Sequence, residues 1–149
     1  GTLSNGGRYL EKYLNRVGYT IKPSEDNLTL VYSTDVVQCF PGRKQNRSGD
    51  NIPLASEVDN CRRWLDMEML VMNPEVILLF GTPAAKSFYE YYLAEPFTKL
   101  SDNYFISRNF RGRKVICLPH PTSMVKEKSN IYCKTFSMIR EMLANTADH

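Results

Sequence analysis

The run Val76-Ile77-Leu78-Leu79-Phe80 constrains this chain more than any other stretch. Five apolar residues are far short of the roughly 20 needed for a membrane-spanning helix. They also lack the polar alternation of a strand with one wet face, so the run suits a strand buried on both faces, as in helix-covered parallel sheets. Gly81-Thr82-Pro83 follows at once, offering a tight turn, an N-cap and a proline at the first helical position. A helix therefore starts there and is expected to reach about Leu93.

The rest of the chain repeats this alternation. Tyr9, Leu10, Tyr13, Leu14 and Val17 fall at helical spacing, with Gly18 as a stop. Leu28 to Val37 is β-branched and aromatic and reads as a strand, and Phe40 to Pro53 reads as a long loop. Ser56 is placed to cap a helix whose stripe is Cys61, Leu65, Met69 and Met72, ending before Pro74. Tyr104 to Phe110 and Lys114 to Leu118 read as two strands joined at Arg111-Gly112-Arg113. Tyr132, Phe136, Ile139 and Leu143 then mark one side of a last helix.

This order predicts a single α/β domain over residues 1–149, a three-layer α/β/α sandwich with a mostly parallel central sheet. In such sheets ligands sit beyond the carboxyl ends of the strands. Three segments fall there: the loop after Val37, Gly81-Thr82, and Pro119 to Met124.

Composition excludes some classes of protein. At 42% hydrophobic and 23% charged, with no long apolar run, the chain is neither a membrane span nor a disordered tail. The polar, glycine-rich start is not a leader peptide, and a cytoplasmic location is expected. The four cysteines, 39, 61, 117 and 133, form no CxxC and are read as reduced, with Cys117 and Cys133 small buried hydrophobes. A net charge of +3 permits phosphate-rich partners without demanding them. The cations gather in Arg43-Lys44-Gln45-Asn46-Arg47 and in Arg108-Asn109-Phe110-Arg111-Gly112-Arg113-Lys114, which as charge runs alone are a solvated loop and a turn.

His120 is the sharper of the two histidines, since His149 ends the sequence. Pro119 and Pro121 restrict the backbone on either side of it. Pro-His-Pro-Thr-Ser brings an imidazole, hydroxyls and backbone N–H groups to a strand exit, a combination suited to an anion. Asp35 is the second candidate, a carboxylate inside an otherwise apolar strand unless it faces outward at an edge.

Taken in order, these segments resemble the uracil-DNA glycosylase superfamily, in particular its iron–sulfur family 4 branch. Gly7-Arg8-Tyr9-Leu10 resembles that branch's glycine–helix segment, and Val31 to Pro41 its strand, loop and third cluster cysteine. Asn46-Arg47 resembles the Asn-Arg that follows, and Pro53 to Leu65 the helix bearing the fourth cysteine. Asn73 to Gly81 is similar to its Pro-x-hydrophobic-Gly strand, and His120-Pro121-Thr122 to its His-Pro-Ser motif.

The resemblance implies hydrolysis of the N-glycosidic bond of uracil, or another deaminated base, in DNA. The base is flipped from the duplex into a pocket, and His120 donates to the leaving base, neutral or charged. Asp35, Asn46, Thr122, Ser123 and Met124 would contact the substrate, with Met124 on the minor-groove side. Arg43, Lys44 and Arg47 would hold phosphates, and Arg111, Arg113 and Lys114 would be weaker candidates. DNA containing a damaged base is the expected partner, with no membrane and a monomeric protein.

Three departures shape that expectation. Nothing in residues 1–149 matches the family's opening strand with its Gly-Glu-x-Pro-Gly loop and water-placing carboxylate, nor the aromatic residue expected in Gly1–Gly6 to stack on the base. The chain thus reads as lacking a first, central strand, and residues 1–149 are expected to turn over little or no substrate. Cys39 and Cys61, 22 residues apart, match half of a cysteine set whose other pair lies upstream. No cofactor is expected in this chain, and a 4Fe-4S cluster belongs only to a longer protein carrying that pair. Asp35 stands where the family has a base-reading asparagine, which implies weakened uracil selectivity. A non-catalytic nucleic-acid-binding relative with the same fold is the alternative, and a nucleotide-binding domain of unrelated function is a third reading on fold analogy.

Overall fold

The computed structural model describes residues 2–22, 31–38, 42–45 and 51–147. Helix α1 (Asn5–Leu14) is capped by Ser4, whose hydroxyl accepts from the Gly7 N–H. A 3-10 turn over Asn15–Val17 ends at Gly18, where φ is 83° and the absence of a side chain removes the strain. Helix α2 (Ala55–Met72) starts two residues earlier than a Ser56 cap would place it. Its cap is Leu54, whose N–H donates to Glu57 Oε2 at 2.7 Å, so a carboxylate at the third helical position does the capping.

Strand β1 (Val76–Phe80) leads into helix α3 (Thr82–Phe88), capped by Gly81 with φ 86°. Thr82 is thus the first helical residue, not the cap. A π-helical turn, Tyr89–Leu93, carries the helix to its expected end. Strands β2 (Ser107–Phe110) and β3 (Arg113–Leu118) form a hairpin, and helix α4 (Lys128–Ala147) closes the sequence. The first three residues of the expected Tyr104–Phe110 strand are not part of β2.

Among the described residues the sheet has three strands in the order β1-β3-β2 and is mixed. β1 and β3 are parallel, with Val76 opposite Lys114 and Phe80 opposite Leu118. β2 and β3 are antiparallel. This corrects the expected mostly parallel sheet, and the cause is local. Arg111 and Gly112 both have positive φ, which makes a two-residue hairpin turn with no room for a crossover helix.

Side chains of β3 alternate between two cores. Ile116 and Leu118 pack with Tyr13, Leu14, Tyr132, Phe136 and Ile139 of α1 and α4. Val115 and Cys117 pack with Ala85, Phe88, Tyr89 and Phe110 on the α3 side. The run in β1 divides the same way, Leu78 and Phe80 towards α1 and α4, Ile77 and Leu79 towards α3. Its both-sided apolar character is thereby explained.

One edge of β1 is open. The Gly81 N–H donates to Leu118 O and Glu75 O accepts from Lys114 N–H, so the odd-numbered residues of β1 face β3. In a strand the polar backbone groups of alternate residues face opposite ways. Those of Val76, Leu78 and Phe80 therefore face away from β3, and no described residue hydrogen-bonds to them. That edge lines a cleft of about 1690 Å³, shared with residues 31–38 and the α2 stripe Leu65, Met69 and Met72.

The strand expected over 28–37 is not seen as one: 28–30 fall outside the described residues, and 31–38 carry no ladder pairing. They are tied to α2 by side chains instead. Tyr32 Oη, Thr34 Oγ1 and Gln38 Nε2 all donate to the Glu68 carboxylate, at 2.9, 2.8 and 2.6 Å. No helix among the described residues is long and apolar enough to cross a membrane.

Candidate functional site

Three chain segments meet at the carboxyl end of β3. β3 delivers Pro119 and His120, the β1–α3 turn contributes Gly81, and the first turn of α1 contributes Gly6. A side chain at Gly6 would place its Cβ 3.0 Å from Thr122 Cγ2 and 3.5 Å from Pro121 Cβ, and one at Gly81 would sit 3.5 Å from His120 Cβ. Gly6 leaves room for the His120 loop against its backbone, whereas Gly81 is required by its positive φ of 86°.

The loop is pinned from below. Tyr132 on α4 is buried, and its hydroxyl donates to Pro119 O at 2.7 Å. Burial, and then the neighbouring tyrosines, push its ionisation far above the usual phenol range, so it remains a donor. Within the loop the Ser123 N–H donates to His120 O at 2.9 Å. The Ser123 hydroxyl is buried, with no hydrogen-bond partner among the described residues.

His120 is exposed, and its ring is held on one side. Thr122 Oγ1 lies 2.8 Å from Nδ1, and the Thr122 backbone N–H donates to the same nitrogen at 3.3 Å. A backbone N–H can only donate, so Nδ1 presents a lone pair. In that tautomer the ring proton sits on Nε2, which is left as a donor. The sequence leaves the tautomer open; the two Thr122 contacts favour this one.

Asp35, Lys44, His120, Thr122 and Ser123 all line the large cleft, together with Gly81 and the α1 residues Ser4, Gly6 and Gly7. Asp35 is exposed, not embedded in a strand. Arg43 is exposed next to Lys44. Met124 is 98% exposed at the outer side of the His120 loop, unusual for a large apolar side chain. Asn46, Arg47 and Cys39 lie outside the described residues.

Arg111, Arg113 and Lys114 are elsewhere. They line a separate pocket of about 490 Å³ with Asn73, Glu75 and the end of α4. That pocket is at the amino end of β3 and His120 is beyond its carboxyl end, so six strand residues, about 20 Å, separate them. The hairpin turn and the His120 loop do not form one surface. Three residues of the site went unread in the sequence: Gly6, Glu68 and Lys128.

A cluster site is not formed by the described cysteines. Cys61, Cys117 and Cys133 are free and stand on α2, β3 and α4. No three His, Cys, Asp or Glu side chains among the described residues converge as metal ligands. These residues alone do not fit an iron–sulfur cluster.

A family model described as the Uracil DNA glycosylase superfamily matches residues 4–145. The chain belongs to that superfamily. No curated protein matches it significantly. Within the superfamily this chain's α/β fold, with its small mixed sheet, is consistent with a glycosylase-like fold from which part of the sheet is missing.

Proposed function

We propose that this protein is a DNA glycosylase domain of the family 4 type, hydrolysing the N-glycosidic bond of uracil or another deaminated base. The observation that carries the reading is the His120 ring at the cleft, its Nδ1 held by Thr122 and its Nε2 left to meet a ligand. In the reaction the bond between the sugar C1′ and the base N1 breaks and its electron pair leaves with the base. The charge spreads onto the carbonyl oxygens, where a preoriented N–H donor lowers the barrier. His120 supplies that donor without transferring its proton. Water adds to C1′ and loses a proton to a base.

Other residues have supporting roles. Met124 is placed to fill the gap left by the flipped nucleotide. Arg43 and Lys44, with Arg47 outside the described residues, contact backbone phosphates. Asp35, Asn46, Thr122 and Ser123 contact the base. The roles of Arg111, Arg113 and Lys114 shrink to distant, non-specific attraction, because the hairpin turn stands at the other end of the sheet.

The open edge of β1 supports the absence of a central strand from residues 1–149. A cleft of about 1690 Å³ exceeds the roughly 300–1,000 Å³ of small-molecule sites. Its wall carries backbone groups spaced for a strand partner. In the family 4 branch the strand that residues 1–149 do not match ends in the loop that places the attacking water. With it in place the sheet becomes the mostly parallel centre of a three-layer sandwich in a single domain, and without it turnover is low.

The test is base release from a uracil-containing oligonucleotide by residues 1–149 and by a longer protein carrying the preceding strand. Release by the longer protein alone, lost on His120→Ala, is expected. Robust release by residues 1–149 would refute the missing-strand reading. Undiminished release by His120→Ala in the longer protein would refute the role given to His120. Binding to uracil-containing duplex without release by either protein would favour the non-catalytic relative.

A further inference from the structure

Lys128 opens α4, directly after Glu127, whose φ is 58°. Its ammonium donates to Pro121 O at 2.6 Å and to Ser123 O at 2.8 Å. It also lies 4.4 Å from the centroid of the Tyr9 ring on α1. No carboxylate among the described residues pairs with it. Its partners are two loop carbonyls and an aromatic face, and the side chain is half-buried.

An ammonium has three N–H donors on a compact charge, so two carbonyls and a ring face satisfy it without a counter-ion. Surface lysines do not need such an arrangement and are seldom found in one. The two carbonyls it holds are not arbitrary. Pro121 and Ser123 flank Thr122, whose N–H and hydroxyl together hold His120 Nδ1. Pro121 O lies in the same peptide plane as the Thr122 N–H, so holding it fixes the direction of that N–H, while the bond to Ser123 O anchors the far end of the turn.

We infer that Lys128 is a positioning residue for His120: its ammonium clamps the Pro121–Ser123 turn so that Thr122 keeps the imidazole in its Nε2–H form. The clamp also joins α1 to α4 through Tyr9, so the first helix, the last helix and the His120 loop share one cation. Arginine would not substitute fully, since its planar fork cannot meet two carbonyls and a ring face from one nitrogen. The inference rests on the glycosylase reading for its purpose, though not for its geometry.

The test reads the ring directly. In ¹⁵N-histidine-labelled protein with His149→Gln, a single imidazole remains. The wild-type background is expected to show an unprotonated Nδ1 and a protonated Nε2. Lys128→Met keeps the stem over Tyr9 and removes the donors. It is expected to average the two tautomers and to speed Thr122 amide exchange at least tenfold, while the Ile116 amide in β3 stays protected. Lys128→Arg is expected to fall between the two.

An unchanged tautomer and unchanged Thr122 exchange in Lys128→Met would overturn the inference. A second measurement needs no variant at position 128. The Lys128 ammonium is expected to exchange protons with water at least tenfold more slowly than that of exposed Lys126, and equal rates would also overturn it. Neither readout involves base release, so absence of release by the longer protein would count against the glycosylase reading and leave this one standing.

Discussion

At the scale of single residues, the site depends on contacts too close to tolerate one extra carbon. Gly6 meets the methyl of Thr122 at 3.0 Å from where a Cβ would stand, tighter than ordinary van der Waals contact. Gly6→Ala should therefore push the His120 loop outward, and a displacement near 1 Å can cost about a hundredfold in rate. Thr122→Ser removes that methyl and keeps the hydroxyl, so the double variant should recover most of the activity of the longer protein. A double variant as poor as Gly6→Ala alone would place the fault in α1 instead. Asp35 lines the same cleft and, as a carboxylate, only accepts hydrogen bonds. Asp35→Asn adds a donor for a base carbonyl, so competition between uracil- and other deaminated-base substrates should shift towards uracil. An unchanged ratio would remove Asp35 from base reading. His120 was legible in the sequence because two prolines and two hydroxyl residues surround it. Gly6 and Lys128 were not, since their importance lies in partners 116 and 5 to 7 positions away that only the fold brings into contact.

Elements differ in how far their own sequence decides them. β1 and α4 were readable because each contains its complete pattern: a continuous apolar run in one, and in the other a stripe of Tyr132, Phe136 and Ile139, which are buried, and Leu143, which is partly buried. Residues 31–37 have equally good strand composition, yet they form no ladder: the open edge of β1 lies across the cleft from them without pairing, and propensity does not supply a paired partner. The mixed sheet was missed for a related reason: alternation of elements counts strands but does not orient them, and the Arg111-Gly112 turn decides the direction of β2. The α1–α4 pair makes a prediction of its own. Burial holds the Tyr9 and Tyr132 phenols protonated well above their ordinary value of 10.0, with hydrogen bonding to Tyr13 adding to the effect at Tyr9. A group whose folded pKa is raised contributes stability that is complete below its unfolded pKa and is lost as pH rises above it. Thermal midpoints should hence be flat to about pH 10 and fall beyond it. Tyr132→Phe should flatten that fall while costing about 1–3 kcal/mol at neutral pH, because Pro119 O is left without its donor. Circular dichroism melts across this range would show an unchanged alkaline slope if Tyr132 were not responsible.

For the whole molecule, the open edge of β1 ties architecture to function. An edge strand is normally shortened, charged or covered, and among the described residues nothing pairs with β1 on this edge: its residues are all apolar and its outward backbone groups face a cleft. The hairpin side of the sheet is finished by β2, so the unfinished side is the one that also carries His120, Gly81 and Gly6. An incoming strand would thus complete the sheet and the site together, which couples stability to activity. Amide exchange can detect this without any substrate. Ile77 and Leu79 direct their N–H groups to β3 and should exchange slowly, while Val76, Leu78 and Phe80, pointing into the cleft, should exchange quickly in residues 1–149. In a longer protein that fills the cleft, all five should become slow, and the thermal midpoint should rise with them. Slow exchange at Leu78 in residues 1–149 would mean that something already covers this edge, such as a second copy of the chain. That possibility is separable, because its protection would fade on dilution whereas protection by a strand of the same polypeptide would not.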